Sequence, residues 1–381
     1  MTLRWLARFA VCCPMALAAC DGGPAPESAK NAVEIAPMLR ESWKTYKDHF
    51  IQADGRVIDH SADGVSTSEG QSYAMLRAVW MNDRETFDRA YRWAVDNLGS
   101  GARNDVLWGW KWGRNAAGEW RLLDAAFASD ADEDVALALI LAARRWDDKR
   151  YLEAARRILR DLWALGAREA GGRIYLLAGD TLCQGRKCRI NPSYYAPYAY
   201  RVFAAYDEER PWLKLVDSSY ELLDRSAKLT ATGLPPDWID LDLSTGELTL
   251  GTSEQSRFSY DALRTYWRIA MDYELNAEPR ARRYLEQSLQ WTLKEWNRRN
   301  RLPAAISAKG EPRADYEAPE MLAALMAALK YVDPDTAEAM RRRLNGMYHE
   351  GFWSERDRYY IQNWAWFGNA LYDGFVQIFR H

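Results

Sequence analysis

The chain has 381 residues, 48% apolar and 28% charged, which excludes a disordered chain, a collagen-like fibre and a disulfide-stapled miniprotein. With 51 Lys and Arg against 54 Asp and Glu it has no basic excess to neutralise a phosphate backbone, so no nucleic-acid partner is expected. The 18 Trp and 21 Tyr supply many flat faces, fit either for a rigid core or for pyranose rings to lie on.

Residues 1–19 read as a secretory signal peptide: Arg4 and Arg8 precede an apolar run too short to span a bilayer. Leu17-Ala18-Ala19-Cys20 resembles the bacterial lipobox. That implies lipid on Cys20 and a protein on the periplasmic face of a membrane, held by its lipid anchor only. A plain signal ending in Cys is the alternative. Residues 20–32, which contain DGGPAPESAK, read as a flexible tether.

From residue 33 on, apolar positions recur with helical spacing. The pattern predicts twelve helices, near 33–51, 69–82, 84–98, 131–146, 149–165, 192–207, 212–229, 259–275, 279–298, 316–331, 334–347 and 364–379. Those starting at 84, 149, 212, 279 and 334 are rich in charge and face solvent; those at 69, 131, 192, 259, 316 and 364 are richer in Ala, Tyr, Trp and Leu. Strand pieces are expected around 104–123 and 238–250, the second with a hairpin turn at Ser244-Thr245-Gly246-Glu247. Short links alternate with long aromatic ones, which predicts an all-α toroid of six inner and six outer helices with β-hairpins in the long links. An open superhelix is the alternative, without a fixed-period repeat to support it. No linker divides residues 33–381, which are read as one domain. Cys183 and Cys188, in CQGRKC, are most simply a disulfide; a metal site would need two more ligands nearby.

The four His are not spaced as a metal motif, and no phosphate loop, dinucleotide fingerprint or serine elbow is present, so neither a metal nor a cofactor is expected. What stands out is acids at the starts of inner helices. Glu69, in STSEGQSY, is either a capping-box partner of Ser66 or a reactive carboxyl with Gly70 leaving room beside it. Asp130 opens D-A-D-E-D, which the helix dipole partly explains; a calcium loop fails because Val135 and Leu141 stand where Gly and Glu are needed. Asp261 is a simple first-turn acid, a salt-bridge partner of Arg264, or a third carboxylate on the same rim. Paired carboxylates in an aromatic groove are the minimum for glycoside hydrolysis.

ASDADEDVALALILAARRW at 128–146 resembles the signature of glycoside hydrolase family 8, with Val135 where the family usually has Ile or Met. STSEGQSYAML at 66–76 and SYDALRTYWRIAMDY at 259–273 resemble its general-acid and general-base segments; NPSYY, GLPPDW and YYIQNWAWFGNAL also fit. The resemblance implies an (α/α)6 barrel and an inverting, endo-acting hydrolase of β-1,4-linked polysaccharides. Glu69 would be the acid, Asp261 the base, and Asp130 would hold sugar hydroxyls at the cleavage point. Arg264 is either an orienting partner of the base or a structural ion pair. Trp108, Trp110, Trp112, Tyr194, Tyr195 and Trp366 are candidate substrate-binding residues, about half of them expected in the core. Asp261 with Arg264 resembles the cellulase-containing branch, so the expected substrate is a β-1,4-glucan. GRVID at 55–59 is similar to endoglucanases that accompany bacterial cellulose synthesis, which implies polysaccharide synthesis or export machinery as a partner. A chitosanase or other exopolysaccharide endoglycanase is the runner-up, a non-catalytic glycan-binding lipoprotein the reading from another class; a monomer is expected.

Overall fold

The structure, a computed structural model, describes residues 35–376 except 100 and 102. The signal peptide, Cys20 and the tether fall outside the described residues. Thirteen helices follow in order among those described: α1 (Pro37–Phe50), α2 (Ser68–Trp80), α3 (Arg84–Asn97), α4 (Ser129–Trp146), α5 (Lys149–Gly166), α6 (Pro197–Tyr206), α7 (Trp212–Ala227), α8 (Leu263–Asn276), α9 (Pro279–Ser288), α10 (Gln290–Arg299), α11 (Pro319–Leu329), α12 (Pro334–Asn345) and α13 (Tyr359–Tyr372).

Two kinds of helix sort themselves by burial. All of α11 is buried, as is α4 from Ser129 to Ala142. In α5 only one stripe is, through Tyr151, Ala154, Ala155, Ile158, Leu159 and Leu162, the spacing of an amphipathic surface helix. The more deeply buried helices form a closed inner ring, α2 against α4, then α6, α8, α11, α13 and back to α2. Outer partners α3, α5, α7, α9 and α12 each follow an inner helix, and α1 pairs with α13 to complete the sixth couple. This is an (α/α)6 barrel. Helix packing is tight enough that a Cβ on Gly368 would lie 2.5 Å from the Ala323 carbonyl, so only Gly fits where α13 crosses α11.

The α1–α13 seam is fastened by a buried cation. The Arg77 guanidinium of α2 lies 4.3 Å from the Tyr46 ring and 5.1 Å from those of Trp43 and Trp366. It donates to Ser42 on α1 and to Asn363 on α13.

Several boundaries differ from the sequence reading. The expected helix 279–298 is interrupted at Leu289, beside which the Gln290 side chain donates to the Glu286 carbonyl at 2.6 Å. The last helix spans 359–372 rather than 364–379; Gly374, at φ 71°, turns the chain away. The sixth begins at Pro197 after a 3₁₀ turn at Pro192–Tyr194, and the eighth at Leu263. Strands occupy the long links. Residues 66–67, 111–114 and 120–124 form one sheet; 183–184, 187–190, 239–242 and 248–250 form another, whose last turn holds the expected STGE.

Candidate active site

Strand 66–67 delivers the chain into α2, and Thr67, not Ser66, caps the helix by accepting from the Gly70 N–H at 3.0 Å. Ser66 is committed elsewhere, donating to the Val57 carbonyl and accepting from Arg56. The capping box therefore does not form, and Glu69 is free for other partners. Its Oε1 accepts from the Tyr359 hydroxyl at 2.7 Å and its Oε2 from Arg264 Nη1 at 2.8 Å. Gly70 packs beside this pair, where a Cβ would make only ordinary contact with the Tyr359 ring at 3.4 Å.

The acids of α4 are not a solvated helix end; all four are buried. Asp130 accepts from Arg264 Nη1 at 3.0 Å and from the Ala131 N–H at 2.9 Å. Asp132 accepts from the Trp108 N–H, Glu133 from the Tyr200 hydroxyl, and Asp134 makes a two-pronged pair with Arg268. Burial raises every one of them above the ordinary carboxyl range, Asp134 to about 6.

Asp261 lies in the turn before α8, not in its first helical turn. Its Oδ1 accepts from Arg264 Nη2 at 2.5 Å and its Oδ2 from the Trp238 indole at 2.9 Å. Asp237 holds that turn, accepting from the Ser259 and Ala262 N–H groups at 2.9 Å each and from the Ser259 hydroxyl. Burial and the neighbouring Asp261 charge push Asp237 up to about 6.

One guanidinium thus joins carboxylates from three inner-helix starts. Arg264 is 2% exposed, Glu69 21% and Asp261 35% at the side chain, so the site opens from its cation outward. Burial pushes Glu69 up to about 7; Arg264 and the Tyr359 hydroxyl oppose that shift, while the Asp130 and Asp261 charges add to it. The helix-end field, which favours the ionised acid, is outweighed. A carboxyl poised near neutrality beside an ionisable partner has the pattern of an acid and a base with separate duties.

The candidate aromatics divide. Trp110 is 37% exposed, its backbone N–H and carbonyl tie it to the links entering α4 and α2, and Lys111 Nζ lies 5.5 Å over its ring, which leaves it partly open at the rim. Tyr194 lies beneath Arg264, 5.1 Å from ring to guanidinium, with its edge toward Trp238. Trp112 is half-buried, stacked on Trp120 with Arg56 against both rings. Three expectations are corrected. Trp108 is buried against Tyr91; the Tyr195 hydroxyl is spent on the Leu176 backbone; Trp366 is in the Arg77 cage with its indole N–H on the Leu39 carbonyl. These are core groups and cannot carry sugar. Tyr359, Asp237 and Trp238 lie within YYIQNWAWFGNAL and GLPPDW, and their part in the site does not follow from the sequence. No local signal marks Asp237, because the N–H groups it accepts from lie 22 and 25 residues further along the chain.

Cys183 and Cys188 are disulfide-bonded across paired strand positions. Among the described residues no group of three His, Cys, Asp or Glu is arranged to hold a metal, and no helix is long and apolar enough to cross a membrane.

Comparison with known proteins identifies the family. The model of glycosyl hydrolases family 8 matches residues 22–329. Endoglucanases of Escherichia coli (strain K12) and Xanthomonas axonopodis pv. citri (strain 306) are 34% and 36% identical over 237 and 234 residues. Those stretches cover 60% of this chain in both cases and 62% and 60% of the two relatives, so the chain spans about three fifths of their length. An endo-1,4-D-glucanase from Vibrio fischeri ES114 superimposes with a TM-score of 0.75 at 26% identity, covering 87% of this chain and 94% of that one. A β-1,3-1,4-glucanase from Paenibacillus sp. X4 shares the fold, with a TM-score of 0.77 at 20% identity over 90% and 92% of the two chains. The family match stops at Leu329, short of Tyr359, yet it takes in Glu69, Asp130, Asp261 and Arg264, and the chain belongs to glycosyl hydrolases family 8.

Proposed function

We propose that the protein cleaves β-1,4-glucan chains internally by inverting hydrolysis, with Glu69 as general acid and Asp261 as general base. The observation that carries this is Arg264, which donates to both carboxyls at once, from Nη1 to Glu69 and from Nη2 to Asp261. Glu69, raised to about 7, is mostly protonated at mildly acidic pH and partly so at neutral pH, and can give its proton to a departing glycosidic oxygen. Asp261, the more exposed of the two and fixed by two donors, would take a proton from water attacking the opposite face of the sugar. Asp130 anchors Arg264 and its charge helps keep Glu69 protonated; holding sugar hydroxyls is the further role its place in the family motif suggests. Trp110 offers a platform on the rim and Tyr194 a wall beside the base.

The glucan assignment is supported by the endoglucanase relatives, and the lipobox-like LAAC supports tethering through lipid on Cys20 at a periplasmic membrane face. Similarity to endoglucanases associated with cellulose synthesis makes a polymer-export machinery the partner to look for. Proton NMR in the first minutes of cellohexaose cleavage tests the chemistry: an α-anomer should come first, and an initial β-anomer would overturn it. Release of reducing ends from carboxymethylcellulose but not from chitosan tests the substrate, and metabolic labelling with palmitate tests Cys20.

A further inference from the structure

The disulfide lies at the far end of a strut that braces the catalytic carboxylates from two sides. Before it, the Ala178 carbonyl accepts from the Ser129 N–H at 3.0 Å, at the first residue of the helix that carries Asp130. Gly179 follows, so close to Phe127 that a Cβ would lie 2.6 Å from its carbonyl. The chain then enters strand 183–184, turns, and returns along 187–190, with Cys183 opposite Cys188 and the Arg189 N–H on the Leu182 carbonyl at 2.9 Å. Beyond Ile190, Asn191 fixes Ser193, whose hydroxyl accepts from Arg264 Nε at 3.2 Å.

Strand 187–190 also pairs with 239–242, bringing Ile190 opposite Ile239. The residues before Ile239 are Trp238, which donates to Asp261, and Asp237, which holds the Asp261 turn. One short sheet therefore controls Ser193 through one strand and Trp238 through its neighbour. Its outer strand has only two residues, too few to persist by ladder hydrogen bonds alone.

We propose that Cys183 and Cys188 are a positioning pair for the base: their bond locks the hairpin, and the hairpin fixes Trp238, Ser193 and hence the Asp261–Arg264 geometry. This rests on the hydrolase reading above for its kinetic consequence, though not for its structural one. Reducing the bond should loosen the base without emptying the sugar platforms, so turnover should suffer more than substrate affinity.

The test compares oxidised wild type, wild type reduced with a phosphine, and the Cys183→Ala/Cys188→Ala variant, each first shown to be folded at the assay temperature. A misplaced base is expected to lower kcat on cellohexaose about tenfold with KM within about twofold. Reoxidation should restore wild-type turnover, and the double variant should ignore the reductant. Hydrogen exchange, which needs no activity, should quicken in peptides over 191–194 and 236–262 and stay unchanged in α11. Faster exchange confined to 182–189, or unchanged kcat in both reduced and substituted protein, would overturn the proposal. An oxidised protein that cleaves no glycan would instead sink the functional reading, and the exchange pattern would still decide whether the disulfide braces the base.

Discussion

Removing one oxygen atom from Tyr359 should move the alkaline limb of the rate profile upward. The Tyr359 hydroxyl donates to Glu69 at 2.7 Å, an interaction that favours the ionised acid. A hydrogen bond to a charged group is worth about 1.5–3 kcal/mol, or about one to two pK units at 1.36 kcal/mol each. Glu69 is partly exposed and other donors can compensate, so the lower end applies: Tyr359→Phe should raise the acid from about 7 by about one unit. Because the acid must be protonated to act, activity should extend to higher pH. The Phe ring keeps its packing against Tyr360, so folding should be little affected. The assay is kcat/KM on a soluble cello-oligosaccharide across the pH range. A limb that stays in place or moves down would refute the assignment of Glu69 as the acid or the reading of its environment.

Glu69→Gln and Asp261→Asn should each lower kcat by roughly 10²–10⁴-fold or more while oligosaccharide binding by calorimetry persists, since each removes proton transfer and not packing. Trp366→Ala should cost about 3–5 kcal/mol of stability in denaturant melts with KM unchanged; Trp110→Ala should do the reverse, raising KM several-fold with Tm intact. Glu320, buried at the start of α11 with no partner for its Oε2, is pushed by burial from 4.5 up to about 7. The folded state therefore holds that proton more tightly than the unfolded chain, a contribution fully present below about pH 4.5 and lost as pH rises through 7. Glu320→Gln should raise Tm at pH 8, by up to about 3 kcal/mol of stability, and leave it unchanged at pH 4.5 when measured by scanning calorimetry.

The ring of helices was legible because inner and outer helices differ in composition: a helix buried all round, such as Pro319–Leu329, has no charged stripe, while Lys149–Gly166 does. Their ends were less so. The interruption at Leu289 leaves the apolar periodicity unbroken and so leaves no mark in it, and the Tyr359-Tyr360-Ile361 start of the last helix carries residues typical of strands. At the site, Glu69, Asp130, Asp261 and Arg264 could be named from their motifs, but not that one arginine joins all three acids, since those contacts span up to 195 residues. The aromatics were the poorest guide. Trp110 and Trp366 are both indoles in aromatic-rich segments, and only the Arg77 cage separates a wall of the core from a face partly open at the rim.

That cage also dictates when the barrel can exist during synthesis. Five of the six helix couples are joined by a short link and can dock as soon as both members have formed, but the sixth unites the first helix with the last. Ser42 and Asn363 meet through Arg77 across roughly 320 residues, which at about 5–20 residues per second leaves α1 waiting tens of seconds for its mate. During that interval the flanks of α1 and α2 that α13 will cover stand open, and a nascent chain is at its stickiest. Once closed, the same seam is the only couple without a covalent shortcut, so α1 and α13 are where the finished ring should first part.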